Sequence, residues 1–219
     1  MVNTIHLPYI FKPFTCKNLI RLGKEYDGGY LVNELDVKRT NSLIGFGVGY
    51  DLSFEEDFYK INACEVNLYD REVYTSANKD FNIVKGYVID DIPITEIFAN
   101  KNKIFLKCDI EGGEYLLCDY LINNSHLFTG VSIEFHDIHI YENFNKLTNF
   151  ISKFRLPLIH FHVNNAFYIK VGDEKILPSV VELSFSSSDN LFYNDQIKLP
   201  HKLDMRNLIH DIDFNITFD

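Results

Sequence analysis

The stretch that decides the fold is Ser42-Leu43-Ile44-Gly45-Phe46-Gly47-Val48-Gly49-Tyr50-Asp51-Leu52-Ser53-Phe54-Glu55-Glu56. Its first five residues read as a short buried strand. The glycines then break the pattern, and from Ser53 the apolar spacing becomes helical, with Phe54, Phe58 and Ile61 on one side. Ser53 with Glu56 three residues on has the form of a capping box, so a glycine turn is expected to run straight into a helix N-terminus. The next strand, Glu65-Val66-Asn67-Leu68-Tyr69, ends on Asp70, 21 residues beyond Gly49. Strand, glycine turn, helix and strand in that order predict a βαβ unit on a parallel sheet.

The alternation continues outward. Asn82-Ile83-Val84 reads as a third strand, and a short helix is expected over 93–99. Lys103-Ile104-Phe105-Leu106-Lys107-Cys108 reads as a strand ending on Asp109. A helix follows that carries Tyr115, Leu116, Leu117, Tyr120 and Leu121. Gly130-Val131-Ser132-Ile133-Glu134-Phe135-His136 is the fifth strand, and Phe144, Leu147, Phe150, Ile151 and Phe154 define an amphipathic helix. Segments 158–162, 166–171 and 180–185 alternate as late strands, some of them antiparallel. One domain over 1–219 is expected: a core at 41–187, an N-terminal arm at 1–40 and a C-terminal arm at 188–219, both arms weakly patterned and packed on the core.

Composition bounds the function. The 219 residues suffice for one α/β domain, and 46% hydrophobic with 24% charged residues is a globular composition. A net charge of −10 without a basic run speaks against nucleic acid or an anionic membrane as a partner. No apolar run reaches the roughly 18 residues of a spanning helix, and the beginning lacks the order of a signal peptide. A soluble, cytoplasmic protein is therefore expected. Cys16, Cys64, Cys108 and Cys118 form no C-x-x-C pair, so neither zinc knuckle nor disulfide frame is expected. Aromatic residues at 15%, all Phe and Tyr, leave material for a homodimer surface.

Gly45, Gly47 and Gly49 between strand and helix let the backbone approach a nucleotide-like ligand. Asp70, ending the adjacent strand, is placed to accept from both ribose hydroxyls. The spacing separates two cofactors. A dinucleotide site needs G-x-G-x-x-G, with a pyrophosphate on the helix N-terminus. Counting from Gly45 or Gly47, the third glycine would fall on Tyr50 or Leu52, and neither fits. S-adenosyl-L-methionine has no phosphate and carries a cationic sulfonium, which suits a G-x-G-x-G turn in an acidic cleft.

At this point the chain resembles a family. Leu106-Lys107-Cys108-Asp109-Ile110-Glu111-Gly112-Gly113-Glu114 resembles the L-K-x-D-x-E-G-x-E block of the FkbM-like methyltransferases. Arg21-Leu22-Gly23 with Asp27-Gly28-Gly29-Tyr30, Phe46-Gly47-Val48-Gly49 with Asp51, Ser53, Phe54 and Glu55, and His160, His162, Asn164 and Asn165 resemble ordered blocks of the methyltransferase-like-24 branch. The blocks spread over most of the chain. The resemblance implies a doubly wound, Rossmann-like class I methyltransferase fold: a mostly parallel seven-stranded sheet with an antiparallel C-terminal strand. It implies S-adenosyl-L-methionine as cofactor and a small carbohydrate acceptor hydroxyl, as in capsule polysaccharide or secondary metabolites. One departure stands out. Many class I methyltransferases have an acidic residue two places before the first glycine, and here that position is Leu43. Asp51 or Glu55 is the stand-in for the methionyl amino group.

Methyl transfer to a hydroxyl is an in-line displacement that needs alignment and a base. His136, His162 and Asp109, at expected strand ends, are the catalytic candidates. Gly45, Gly47, Gly49, Asp51, Asp70, Asp109 and Glu111 are the cofactor candidates, and Asp27, Tyr30, Glu134, Asn164 and Asn165 the substrate candidates. Glu114 reads as a helix residue rather than a catalytic one. Asp109, Glu134, His136 and His162 also carry suitable ligands for a divalent metal, without a diagnostic spacing. The alternatives to a methyltransferase are a catalytically inactive module of the same fold that binds a partner and, less consistent with the glycine spacing, an NAD-dependent oxidoreductase.

Overall fold

In the computed structural model, which describes residues 3–72, 78–172 and 175–219, the N-terminal arm contains β1 (Thr4–Leu7), β2 (Thr15–Cys16), β3 (Leu19–Leu22), β4 (Tyr30–Asn33) and α1 (Glu34–Arg39). Then follow β5 (Ser42–Phe46), α2 (Ser53–Ile61), β6 (Glu65–Asp70), β7 (Phe81–Lys85), α3 (Ile94–Ile97), β8 (Ile104–Cys108), α4 (Glu114–Asn123), β9 (Phe128–Phe135) and α5 (Tyr141–Lys153). The chain continues with β10 (Leu158–Val163), β11 (Tyr168–Val171), β12 (Lys175–Pro178), β13 (Val181–Ser186), β14 (Leu191–Phe192) and β15 (Asn215–Phe218).

Seven strands form the central sheet in the order β10-β13-β9-β8-β5-β6-β7. Only β13 runs against its neighbours, antiparallel to β9 on one side and β10 on the other. This is the expected mostly parallel, doubly wound seven-stranded sheet with one antiparallel C-terminal strand. Every residue of β5, β8, β9, β10 and β13 is buried, as a sheet covered on both faces requires. On one face Ile44, Phe46 and Leu106 pack against Leu117, Leu121, Leu147 and Phe150 of α4 and α5. On the other, Leu43, Leu68 and Phe105 meet Val37, Phe54 and Phe58 of α1 and α2. Phe58 and Phe105 meet edge to face at 5.1 Å, and burying each such ring is worth roughly 2–3 kcal/mol.

Two readings are corrected. The box expected at Ser53 does not form: Leu52 is the N-cap residue, with no side-chain cap. Instead Asp51 Oδ1 accepts from the Ser53 N–H at 3.0 Å, so the loop carboxylate does the capping. The fifth strand is β9, which starts at Phe128 and ends at Phe135, leaving His136 just beyond it. The arms are more ordered than their pattern implies. The β1 strand pairs in parallel with β15, β2 pairs with β14, and Ile5, Leu7, Phe11, Phe214 and Ile216 join the core.

Candidate functional site

From β5 the chain moves outward to β6 and β7, then crosses back to β8 and β9 on the other side. The carboxyl ends of β5 and β8 therefore diverge at a topological switch point, where open α/β sheets hold ligands. A cleft of about 810 Å³ opens there, and Gly47, Gly49, Asp51, Asp70, Asp109 and Glu111 are among its walls. Asp27 also lines it, while Gly45 lies within β5 and does not.

The glycine turn is held from three sides. Gly47 (φ +69°) donates its N–H to the Tyr69 carbonyl at 3.0 Å and accepts at its own carbonyl from Lys107 Nζ at 3.0 Å. Gly49 (φ +55°) donates to Asp70 Oδ2 at 2.8 Å. Asp70 Oδ1 accepts from the Glu72 N–H, so the carboxylate is fixed facing the turn from the end of β6. Asp51 pairs with Lys24 at 3.1 Å. Burial works against its charge, but the Ser53 hydrogen bonds and Lys24 hold its carboxyl below the ordinary value.

Behind the turn stands a buried pair, Lys107 and Glu55, the latter expected at the methionyl amino group. Lys107 sits near the carboxyl end of β8, only 7% exposed, and its charge is sustained against burial by Asp109, Glu55 and Glu134. Glu55 on α2 is 1% exposed, and neither of its oxygens has a hydrogen-bond partner. Burial raises its pKa to about 7, with Lys107 opposing. A carboxyl whose folded pKa lies above the unfolded one binds its proton more tightly when folded, so stability falls as pH rises from about 4.5 to 7. The loss is about 3 kcal/mol. Glu55→Gln should flatten this part of the curve, and thermal melts between pH 5 and 8 check it. The wild type should lose on the order of 6–12 °C more than the variant over that range. Parallel curves would remove the assignment.

Against the loop after β8, His136 follows β9. Its Nδ1 lies 2.9 Å from Glu114 Oε1, and its Nε2 faces Glu111 Oε2 at 3.4 Å and Asp109 Oδ1 at 3.8 Å. Glu114, expected to be a helix residue only, is fully buried, and Oε1 also accepts from the Ile110 and Gly112 N–H groups. It ties the loop after β8 to the histidine. Burial disfavours the charged ring, but the hydrogen bond to Glu114 and the charges of Glu114, Glu134 and Asp109 raise the His136 pKa to about 9. These partners favour the charged ring, in which both nitrogens carry protons. Asp109 is raised by burial, with Lys107 and His136 opposing.

The other candidates lie apart from this cleft. Glu134, raised to about 8 by burial and then by Asp109 and Glu182, accepts from Tyr30 Oη and Asn164 Nδ2 at 3.1 Å each. His162 is 4% exposed between Glu182 (3.4 Å) and Asp213 (3.6 Å). His160 meets Asp204 at 2.8 Å. These pairs hold the C-terminal arm on β10 and place His162, expected as a catalytic residue, among Glu182 and Asp213 rather than beside His136. Asn165 is likewise spent on the backbone of Leu208, donating to its carbonyl and accepting from its N–H.

Of Lys107 and Glu114, whose roles the sequence did not show, only Lys107 left a trace. Lys107 is a charge inside the apolar run Ile104-Phe105-Leu106-Lys107-Cys108, which a doubly covered strand tolerates only with partners. Glu114 carried no separate signal, since an acid at a helix start already suits the dipole.

No family model and no curated protein matches the sequence. Among solved structures, the chain is similar to the human methyltransferase 10 domain containing protein, with TM-score 0.42 and 12% identity over 68% of this chain and 73% of that one. It is also similar to the Methanococcus jannaschii fibrillarin pre-rRNA processing protein, with TM-score 0.42 and 12% identity over 69% and 68%. These likenesses are of fold. Among the described residues, no helix is long and apolar enough to cross a membrane.

Proposed function

We propose that the chain is an S-adenosyl-L-methionine-dependent O-methyltransferase acting on a small, sugar- or polysaccharide-related hydroxyl in the cytoplasm. The observation that carries this is the Asp70 carboxylate, fixed by the Gly49 N–H at 2.8 Å at the mouth of the switch-point cleft. There it is in place to take ribose hydroxyls while the Gly47 turn passes beneath the adenosyl group. Asp51 and Lys24 stand on the methionyl side, and the acidic walls favour a sulfonium. Asp109 is the proton acceptor for the hydroxyl, since His136 is charged and His162 is remote. When bound, S-adenosyl-L-methionine supplies the activated methyl group. Asp27 belongs to the acceptor side, and Tyr30 and Asn164 hold the Glu134 carboxylate between them. Saturable binding of S-adenosylhomocysteine by isothermal titration is the expected result, and no heat at millimolar ligand overturns the proposal. Asp70→Ala should weaken that binding by roughly ten- to a hundredfold, the loss of two charge-assisted hydrogen bonds, with near-ultraviolet circular dichroism unchanged. Unchanged affinity would remove Asp70 from the site.

A further inference from the structure

Glu55 lines the cleft and is nonetheless fully buried, and neither of its oxygens has a hydrogen-bond partner. Gly45 sets its place. A Cβ built on that residue would press on Leu68 and lie 3.3 Å from Glu55 Oε1, so the missing side chain on β5 makes room for the carboxyl group. The charges that reach it are Lys107 from β8, which favours the anion, and Asp51 and Glu56 from the loop and helix around it, which oppose the anion. Leu68 of β6 and Val48 bring no charge to that spot. Lys107 is itself shared: its ammonium donates to the Gly47 carbonyl at 3.0 Å and faces Asp109 at 3.8 Å.

Asp51, the other acid on this side of the cleft, is already committed. Its Oδ1 accepts from the Ser53 N–H at 3.0 Å and its Oδ2 pairs with Lys24 at 3.1 Å. A cation entering the cleft therefore meets two open acceptor oxygens on Glu55 and a neutralised carboxylate on Asp51. A buried carboxylate without donors is costly as an anion, so in the cofactor-free protein Glu55 holds a proton. Only a partner that brings both positive charge and N–H donors reverses that preference. In an S-adenosyl compound the α-ammonium has both, whereas a sulfonium has no N–H.

We propose that Glu55 accepts the α-ammonium of the cofactor in exchange for its own proton, so that uptake of the cofactor is coupled to release of a proton. This exchange rests on the proposed cofactor and adds a pH dependence to its site. The Glu55 O–H bond breaks, the proton passes to solvent, and the carboxylate accepts from the ammonium, which keeps all of its protons. Burial places the free carboxyl at about 7, and a cation held against it lowers that value. The deprotonated form therefore binds the cofactor more tightly. Affinity rises with pH up to about 7 and then levels off.

The test is isothermal titration of the full chain with S-adenosylhomocysteine, whose neutral thioether leaves the ammonium as its only cation, in buffers of different ionisation enthalpy. At pH 6 the heat should vary with the buffer as for about one proton released per ligand, and at pH 8 for about a tenth of that. Affinity should fall about tenfold from pH 8 to pH 6. Glu55→Gln should bind about tenfold or more weakly at pH 8, with the proton release and the pH dependence both lost. Methylthioadenosine, which lacks the amino-acid group, should bind both proteins equally and without releasing a proton. Near-ultraviolet circular dichroism shows whether Glu55→Gln is folded. If it is not, the pH series and the two ligands on the wild type carry the test. Proton release that persists in folded Glu55→Gln, or that methylthioadenosine also causes, overturns the inference. The two proposals fail in different ways. S-adenosylhomocysteine bound at pH 6 without proton release overturns the exchange alone, and no binding at any pH overturns the cofactor assignment and the exchange with it.

Discussion

Gly47→Ala should reduce S-adenosylhomocysteine affinity on the order of a hundredfold or more, from the combined cost of strain and displacement. Gly47 sits at φ +69°, and a Cβ built there would overlap the Asp109 carbonyl oxygen and carbon. No rotamer relieves that clash, since both partners are backbone. The turn would move away from β8, taking with it the carbonyl that Lys107 holds and the Gly49 N–H that faces Asp70. Gly49→Ala provides the contrast. Its φ is also positive, at +55°, but a Cβ there meets nothing within 4 Å. Only the left-handed conformation is then penalised, by roughly 1–2 kcal/mol. Isothermal titration of both variants checks the order, and near-equal losses would show that the close approach to Asp109 does not shape the site.

The second large effect is on stability. Lys107→Met should cost about 3–5 kcal/mol in urea unfolding, because it strands buried carboxylates rather than merely removing a charge. The variant keeps an unbranched side chain but leaves the Gly47 carbonyl without its donor and Glu55 without its cation, and removes one of the two charges that oppose the burial of Asp109. The double variant with Glu55→Gln should recover part of the loss, and the coupling in that cycle measures the pair directly. A single-variant cost under about 1 kcal/mol would mean that the two acids neutralise themselves and Lys107 is dispensable.

What could be read in advance follows from the range of the forces involved. Local pattern carried β5, α2 and β6 nearly to the residue, because a strand covered on both faces must be uniformly apolar and glycine marks the turn that follows. Asp70 could be placed for the same reason: it ends a strand whose neighbour was already known. The two histidines were a different matter. Both end apolar runs, and nothing in the sequence distinguishes His136, against the loop after β8, from His162, under the C-terminal arm. That difference is made by Glu114, Glu182 and Asp213, far off in sequence and joined only by the fold. The arms escaped notice because β1, β2, β14 and β15 are two to four residues long, too short for a period to register.

The parallel ladder of β1 on β15 sets an order of events. It joins positions such as His6 and Thr217, 211 residues apart. So distant a closure repays its loop entropy only after the intervening sheet has formed. The leading strand therefore waits through most of folding for its mate. In the finished protein, a local opening of that ladder would release both extremities together, so the two ends of the sequence make up a single late-assembling unit.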